Sequence, residues 1–293
     1  MGYDLSNQFL RIKIAAKGAQ LMSLYREDLQ KEFLWQGDPV SWGDRAPLLF
    51  PACSRIAGNR VTAEGKEYFI PVQGFAKNRE FALLERTSDS VTLQLSADEE
   101  TLGMFPYLFR LQVRYSLCGP VVHQQFAVIN DGKKDMPFSL GVHPGFFCPI
   151  DLREETADYV LTFDREQHIY RYATEDVTKL LLHEKTPFIE GRELPLSDTF
   201  FADGPKLLGG IAADWIRLSS RKSKCYVELG IKDFPYMAMW GLNKRMTFIC
   251  LEPWCGTSDF ADTDHVWETK PGNVHLAPGE KWTREIQYRM CKE

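Results

Sequence analysis

Residues 107–117, Tyr-Leu-Phe-Arg-Leu-Gln-Val-Arg-Tyr-Ser-Leu (YLFRLQVRYSL), alternate without a break from Phe109 onward. Phe109, Leu111, Val113, Tyr115 and Leu117 fall on one side; Arg110, Gln112, Arg114 and Ser116 fall on the other. Successive side chains of an extended chain point to opposite faces. Such a run is therefore a strand with one dry and one wet face, as in an antiparallel sheet. The same period recurs at residues 9–15, 67–72, 90–97, 121–130, 159–164, 225–231, 236–243, 247–252 and 282–290.

Turn chemistry separates these runs: Glu64-Gly65-Lys66, Cys118-Gly119-Pro120, Asn130-Asp131-Gly132 and Pro278-Gly279-Glu280. Helical signal is confined to residues 176–185 (DVTKLLLHEK), which are expected to hold a couple of helical turns. No linker or shift in composition divides the chain, so residues 1–293 are expected to form one large antiparallel β domain of the sandwich type. With 44% hydrophobic and 26% charged residues, the chain can bury a large core.

A net charge of −5 with scattered Lys and Arg argues against a nucleic-acid partner and against an anionic membrane surface. No apolar run reaches the roughly 18–20 residues that span a bilayer. The seven cysteines are dispersed and include no C-x-x-C pair. Reduced thiols and a cytoplasmic location are expected.

One strand carries an anomaly. In residues 247–256 (TFICLEPWCG), Glu252 shares a face with Phe248 and Cys250 at the end of an apolar run. Pro253 cannot donate to a ladder, so regular pairing is expected to stop there. A carboxyl held on a dry face would have its pKa lifted from about 4.3 toward that of a working base. The plainer alternative is a strand-end Glu paired with Arg or Lys. Residues 137–147 (PFSLGVHPGFF) set Ser139, Gly141 and His143 on one face, which leaves room beside the imidazole for a small polar ligand. A partly buried structural histidine is the alternative there. Arg55 and Arg60 lie in a loop after the apolar residues 48–53, with Arg55 the better held. Phe75, Phe146, Trp240 and Trp254 lie near these segments and could stack on apolar sugar faces, or simply fill core. The six histidines show no H-E-x-x-H or other paired ligand spacing, and G-x-S-x-G is absent. No metal site is expected.

Taken together, residues 18–28, 33–42, 47–51, 106–117, 128–147, 239–256 and 266–280 resemble the aldose 1-epimerase (galactose mutarotase) superfamily, and within it the bacterial LacX-type mutarotase-like branch. His-Pro-Gly-Phe at 143–146 and Cys-Leu-Glu-Pro-Trp-Cys-Gly at 250–256 carry most of the likeness. The resemblance implies a β-supersandwich and interconversion of the α and β anomers of a free hexose, with no cofactor. Glu252 would be the general base and His143 the general acid. Arg55, Gln73, Asp203 (with Asp198 as fallback), Phe146 and Trp254 would bind substrate. Gln73 stands where the family usually has histidine in His-Gly-Phe-Ala, and it can donate a hydrogen bond without carrying charge. The implied partner is a small aldose, with the protein a monomer or homodimer. A carbohydrate-binding protein without turnover, or a hexose-6-phosphate 1-epimerase, are the alternatives.

Overall fold

The computed structural model describes residues 1–242 and 246–292. Among these residues a fifteen-stranded antiparallel sheet dominates, joined by a four-stranded sheet from the amino-terminal 32 residues and two short two-stranded ribbons. The opening stretch forms the strand Phe109–Cys118, with its apolar residues buried and the intervening ones partly exposed. It turns through Gly119-Pro120 into Val121–Asn130, with Cys118 opposite Val121 and Phe109 opposite Asn130. Burying a large apolar side chain stabilises the fold by about 1.5–3 kcal/mol, so one face of this hairpin suffices to hold it on the core.

That core runs from Tyr3 in the first strand to Met290 in the last and lies on a single side of the large sheet. Two smaller apolar clusters lie apart from it. One contains Leu49, Cys53, Tyr172, Leu207, Ala238 and Trp254. The other contains Trp35, Phe248 and Cys250, with Trp42 and Trp240 packed against it. Strand alternation puts Phe248, Cys250 and Trp254 with these satellites, and Ile249 and Leu251 with the main core.

The predicted strands and turns are present, and all-β antiparallel architecture is the observed fold class. The helix expected at 176–185 is not formed. Leu181 begins the strand Leu181–Pro195 and pairs with Thr174, because its side chain is buried against Tyr172 and Ala238 rather than on a helical stripe. Of the run 236–243, Asn243 lies outside the described residues, as do Lys244 and Arg245 within the family-like stretch 239–256.

Candidate active site

The strand Phe248–Cys255 is buried along its whole length. Pro253 does not end it: Pro253 pairs with Met237 and Trp254 with Tyr236, so pairing to Tyr236–Gly241 continues past the proline. On its other side it pairs first with Leu140–Val142 and then with Gly145–Phe147. One register runs through both segments, with Gly141 opposite Trp254 and Gly145 opposite Cys250. His143 therefore falls directly across from Glu252. The chain holds that position where Leu251 N–H donates to the Pro144 carbonyl (3.2 Å) and His143 N–H to the Pro47 carbonyl (3.0 Å).

His143 Nε2 lies 3.3 Å from Glu252 Oε1. Glu252 is 2% exposed and His143 is 7% exposed. Among the described residues no Arg or Lys pairs with this carboxylate, so the plain ion-pair reading of Glu252 is ruled out there. Burial pushes the Glu252 carboxyl well above its ordinary range near 4.5. Burial, and secondarily the charge of Lys77, pushes the His143 imidazole down to about 3. Burial thus favours the neutral form of both groups.

Aromatic side chains enclose the pair. Trp42 lies over the imidazole with centroids 4.9 Å apart and rings inclined by 30°. Trp240 presents its edge to His143 at 6.0 Å and to Trp42 at 5.5 Å. The two glycines flanking His143 make this packing possible. A Cβ on Gly145 would meet Trp42 Cζ3 at 2.6 Å, and one on Gly141 would meet Trp254 Cδ1 at 2.3 Å. The space expected beside His143 at Gly141 is thus filled by the Trp254 indole. Trp254 is buried, and among the described residues its Nε1 donor has no partner, as is also true of His143 Nδ1.

Of the other predicted residues, Gln73 is linked to this place through Lys77. Gln73 sits in a turn at φ +66°, and its N–H donates to the Ser54 carbonyl at 2.8 Å. Its Oε1 accepts from Lys77 Nζ at 2.9 Å, the same lysine whose charge reaches His143. Arg55 follows Ser54 and is exposed, and its guanidinium has no ion pair among the described residues. Its backbone is fixed from behind: Asp259 N–H and Ser258 Oγ donate to the Arg55 carbonyl at 2.9 and 3.1 Å. The Asp259 carboxylate accepts from Ala57 N–H at 2.9 Å and from the buried Lys270 at 2.5 Å.

Two residues are not brought in. Phe146 pairs with Ile249 and is fully buried in the main core beside Tyr288, so it faces away from Glu252. Strand alternation after His143-Pro144 forces that outcome. Asp203 is an exposed residue paired with Arg171 and Lys206. Lys206 shares its row with Met239 and Leu251, whereas Glu252 shares its row with Ala238 and Leu207. Asp203 is therefore engaged on the opposite face of the sheet. The fallback, Asp198, is exposed and accepts from Thr156 Oγ1 at 2.6 Å.

Sequence reasoning did not single out Trp42, Cys250 or the Asp259–Lys270 pair. Trp42 carried no signal beyond its aromaticity, and a lone Asp and Lys 11 residues apart have no detectable partnership in sequence. His143, Cys250 and Glu252 each offer one ligand atom, and these atoms lie within 4.8 Å of one another.

The aldose 1-epimerase family profile matches residues 1–289. The chain belongs to the aldose 1-epimerase family. It is 32% identical over 286 residues to the plasmid-borne Protein LacX of Lactococcus lactis, with 95% of each chain covered. Among solved structures it superimposes on a galactose mutarotase related enzyme from Lactobacillus acidophilus with a TM-score of 0.93 at 29% identity, covering 100% and 98% of the two chains. A galactose mutarotase-like protein from Lactobacillus casei gives the same TM-score, 0.93, at 28% identity, with 99% and 100% covered. The antiparallel fold is that of this family, whose members act on sugars. Family and neighbours together support a sugar epimerase or mutarotase role. Among the described residues no helix is long and apolar enough to cross a membrane.

Proposed function

We propose that the protein interconverts the α and β anomers of a free hexose, with Glu252 as general base and His143 as general acid. The observation that carries this reading is the contact of 3.3 Å between a buried carboxyl and a buried imidazole, with no Arg or Lys paired to the carboxyl among the described residues. Ring opening removes a proton from the anomeric hydroxyl and delivers one to the ring oxygen. Both oxygens are bonded to C1, so an acid and a base a few ångströms apart can reach both.

The reaction needs one proton on the pair. With it on His143, Glu252 is free to take the O1 proton while His143 protonates O5 and the C1–O5 bond breaks. Rotation about C1–C2 in the open-chain aldehyde follows. Reclosure with the roles reversed yields the other anomer and restores the pair. No cofactor enters these steps. Arg55 and Gln73 would hold sugar hydroxyls, with Trp254 Nε1, unpartnered among the described residues, as a further donor. Trp42 and Trp240, both half-buried, cover the pair, so a pyranose reaches it as these indoles move aside. The seven unpaired cysteines suit a reducing compartment such as the cytoplasm.

Polarimetry of freshly dissolved α-glucose and α-galactose tests the proposal. Acceleration over buffer is expected, and its loss in Glu252→Gln. A wild-type protein that accelerates no common aldose while still binding one in calorimetry would point to a carbohydrate-binding protein without turnover.

A further inference from the structure

We propose that Cys250, His143 and Glu252 form a binding site for one thiophilic divalent cation of the zinc class, and that its occupation blocks the acid–base pair. The three side chains share one face. Cys250 and Glu252 stand two residues apart on one strand, and His143 lies opposite Glu252, between the two short strands that pair with it. One sulfur, one nitrogen and one oxygen donor make the three-ligand set of an open zinc site, with a fourth position left for water or substrate.

Distance and burial favour it. Bonds of about 2.0–2.3 Å to a tetrahedral cation leave ligand atoms roughly 3.3–3.7 Å apart. The His143–Glu252 contact, at 3.3 Å, already meets this, and all three donors fall within 4.8 Å. The remaining contraction is of the order of 1 Å, within reach of a rotamer adjustment. Cys250 is fully buried and Glu252 nearly so, which leaves little water to compete. Among the described residues one imidazole nitrogen has no partner, so turning the ring breaks no hydrogen bond there.

Charge favours it too. As a thiolate and a carboxylate, Cys250 and Glu252 offset the two charges of the cation, and the metallated cluster carries no net charge into the interior. The balance is simple. Three donor–metal bonds form, the Cys250 thiol loses its proton, and the Glu252 carboxyl, neutral when buried, loses its own. Both protons pass to solvent. Ligation engages the lone pairs that the proposed reaction needs, so the bound cation inhibits. The site itself rests on the placement of its donors and not on that reaction.

Cobalt(II) is the probe that separates the two claims. Added to the chelator-treated protein, it is expected to give a thiolate-to-cobalt charge-transfer band that saturates at one equivalent and is displaced by zinc. The band should vanish in Cys250→Ala and in Cys250→Ser, the latter keeping the side chain's size in case the cavity left by alanine prevents folding. It should persist in Cys118→Ser/Cys291→Ser, which removes the exposed and the half-buried cysteine. In polarimetry, zinc near one equivalent should suppress turnover until a chelator is added. Relative to each variant's own zinc-free rate, that inhibition should weaken by at least about 100-fold in Cys250→Ser. No band at equimolar cobalt, or a band that survives both Cys250 variants, overturns the site. If the band behaves as expected but no preparation shows turnover, the site stands and the mutarotase reading is what fails.

Discussion

In the hairpin Phe109–Asn130 nearly every second side chain reaches water, whereas all eight residues of Phe248–Cys255 are buried. Both belong to the same sheet. The hairpin follows the rule that polar side chains stay wet, and its charges form surface pairs such as Arg110–Asp131 and Arg114–Glu85. Its outer face helps line a groove of ≈ 950 Å³, whose lining includes Gln112, Arg114, Gln125, Glu228, Glu285 and Arg289, none of them a predicted site residue. The Glu252 strand breaks the rule by placing a carboxyl where water is excluded and letting an imidazole be its partner. Size of cavity and reactivity of side chains therefore point to different places. The buried pair is the better candidate, because an acid and a base in contact in a dry site can exchange protons with a ligand, whereas surface ion pairs are screened and near-neutral in energy.

This contrast can be broken in several ways. The largest effect is expected at Glu252. Glu252→Gln should lower turnover by roughly 10²–10⁴-fold in polarimetry while sugar binding persists in calorimetry. Equal loss of both would make Glu252 a ligand or a prop instead. In the hairpin, Phe109→Ala removes a fully buried ring and should cost about 3–5 kcal/mol of stability in denaturant titration. The rate of the protein that remains folded should stay the same.

Gly145→Ala probes the packing around the pair. Its new Cβ cannot share space with Trp42 at 2.6 Å, so a loss of about 1–3 kcal/mol is expected together with slower turnover. Stability lost with turnover intact would show that Trp42 need not lie on His143.

Glu252→Gln also predicts a pH signature. Glu252 binds its proton more tightly in the folded than in the unfolded chain, so its contribution to stability is present below about pH 4.5 and is lost as pH rises toward the raised folded value. A neutral amide escapes that loss. The variant's Tm should match that of the wild type at low pH and exceed it increasingly above pH 4.5, by about 2–4 °C per kcal/mol. A gap that does not change with pH would mean that Glu252 is ionised in the folded protein. The smallest effect is expected from Arg114→Ala. Its pairing with Glu85 at 3.4 Å is 41% and 59% exposed, so stability should change by less than about 0.5 kcal/mol.

Much of the fold was legible because strand periodicity is local. Residues 107–117 and their counterparts alternate for the same reason wherever they lie, and the turns at Gly65, Gly119 and Gly279 need the positive φ that glycine supplies. Local reasoning went wrong where a tertiary neighbour overruled it. Leu181 joined a strand because Tyr172 and Ala238 offered it a buried place, and Pro253 stayed within a ladder because its neighbours continued to pair.

The site divides in the same manner. Alternation alone put Glu252 on a face with Cys250, and His143 on a face with Gly141, and the resemblance picked out both as reactive. Register is a property of two strands, however, and the residues that set it are more than a hundred positions apart. Only the folded sheet could put His143 opposite Glu252, turn Phe146 into the core, hold Asp203 on the other face and bring Trp42 alongside. What the chain specifies by itself is the direction of each side chain relative to its neighbours. Which groups then meet depends on pairing between distant segments, whose free energy no single stretch contains.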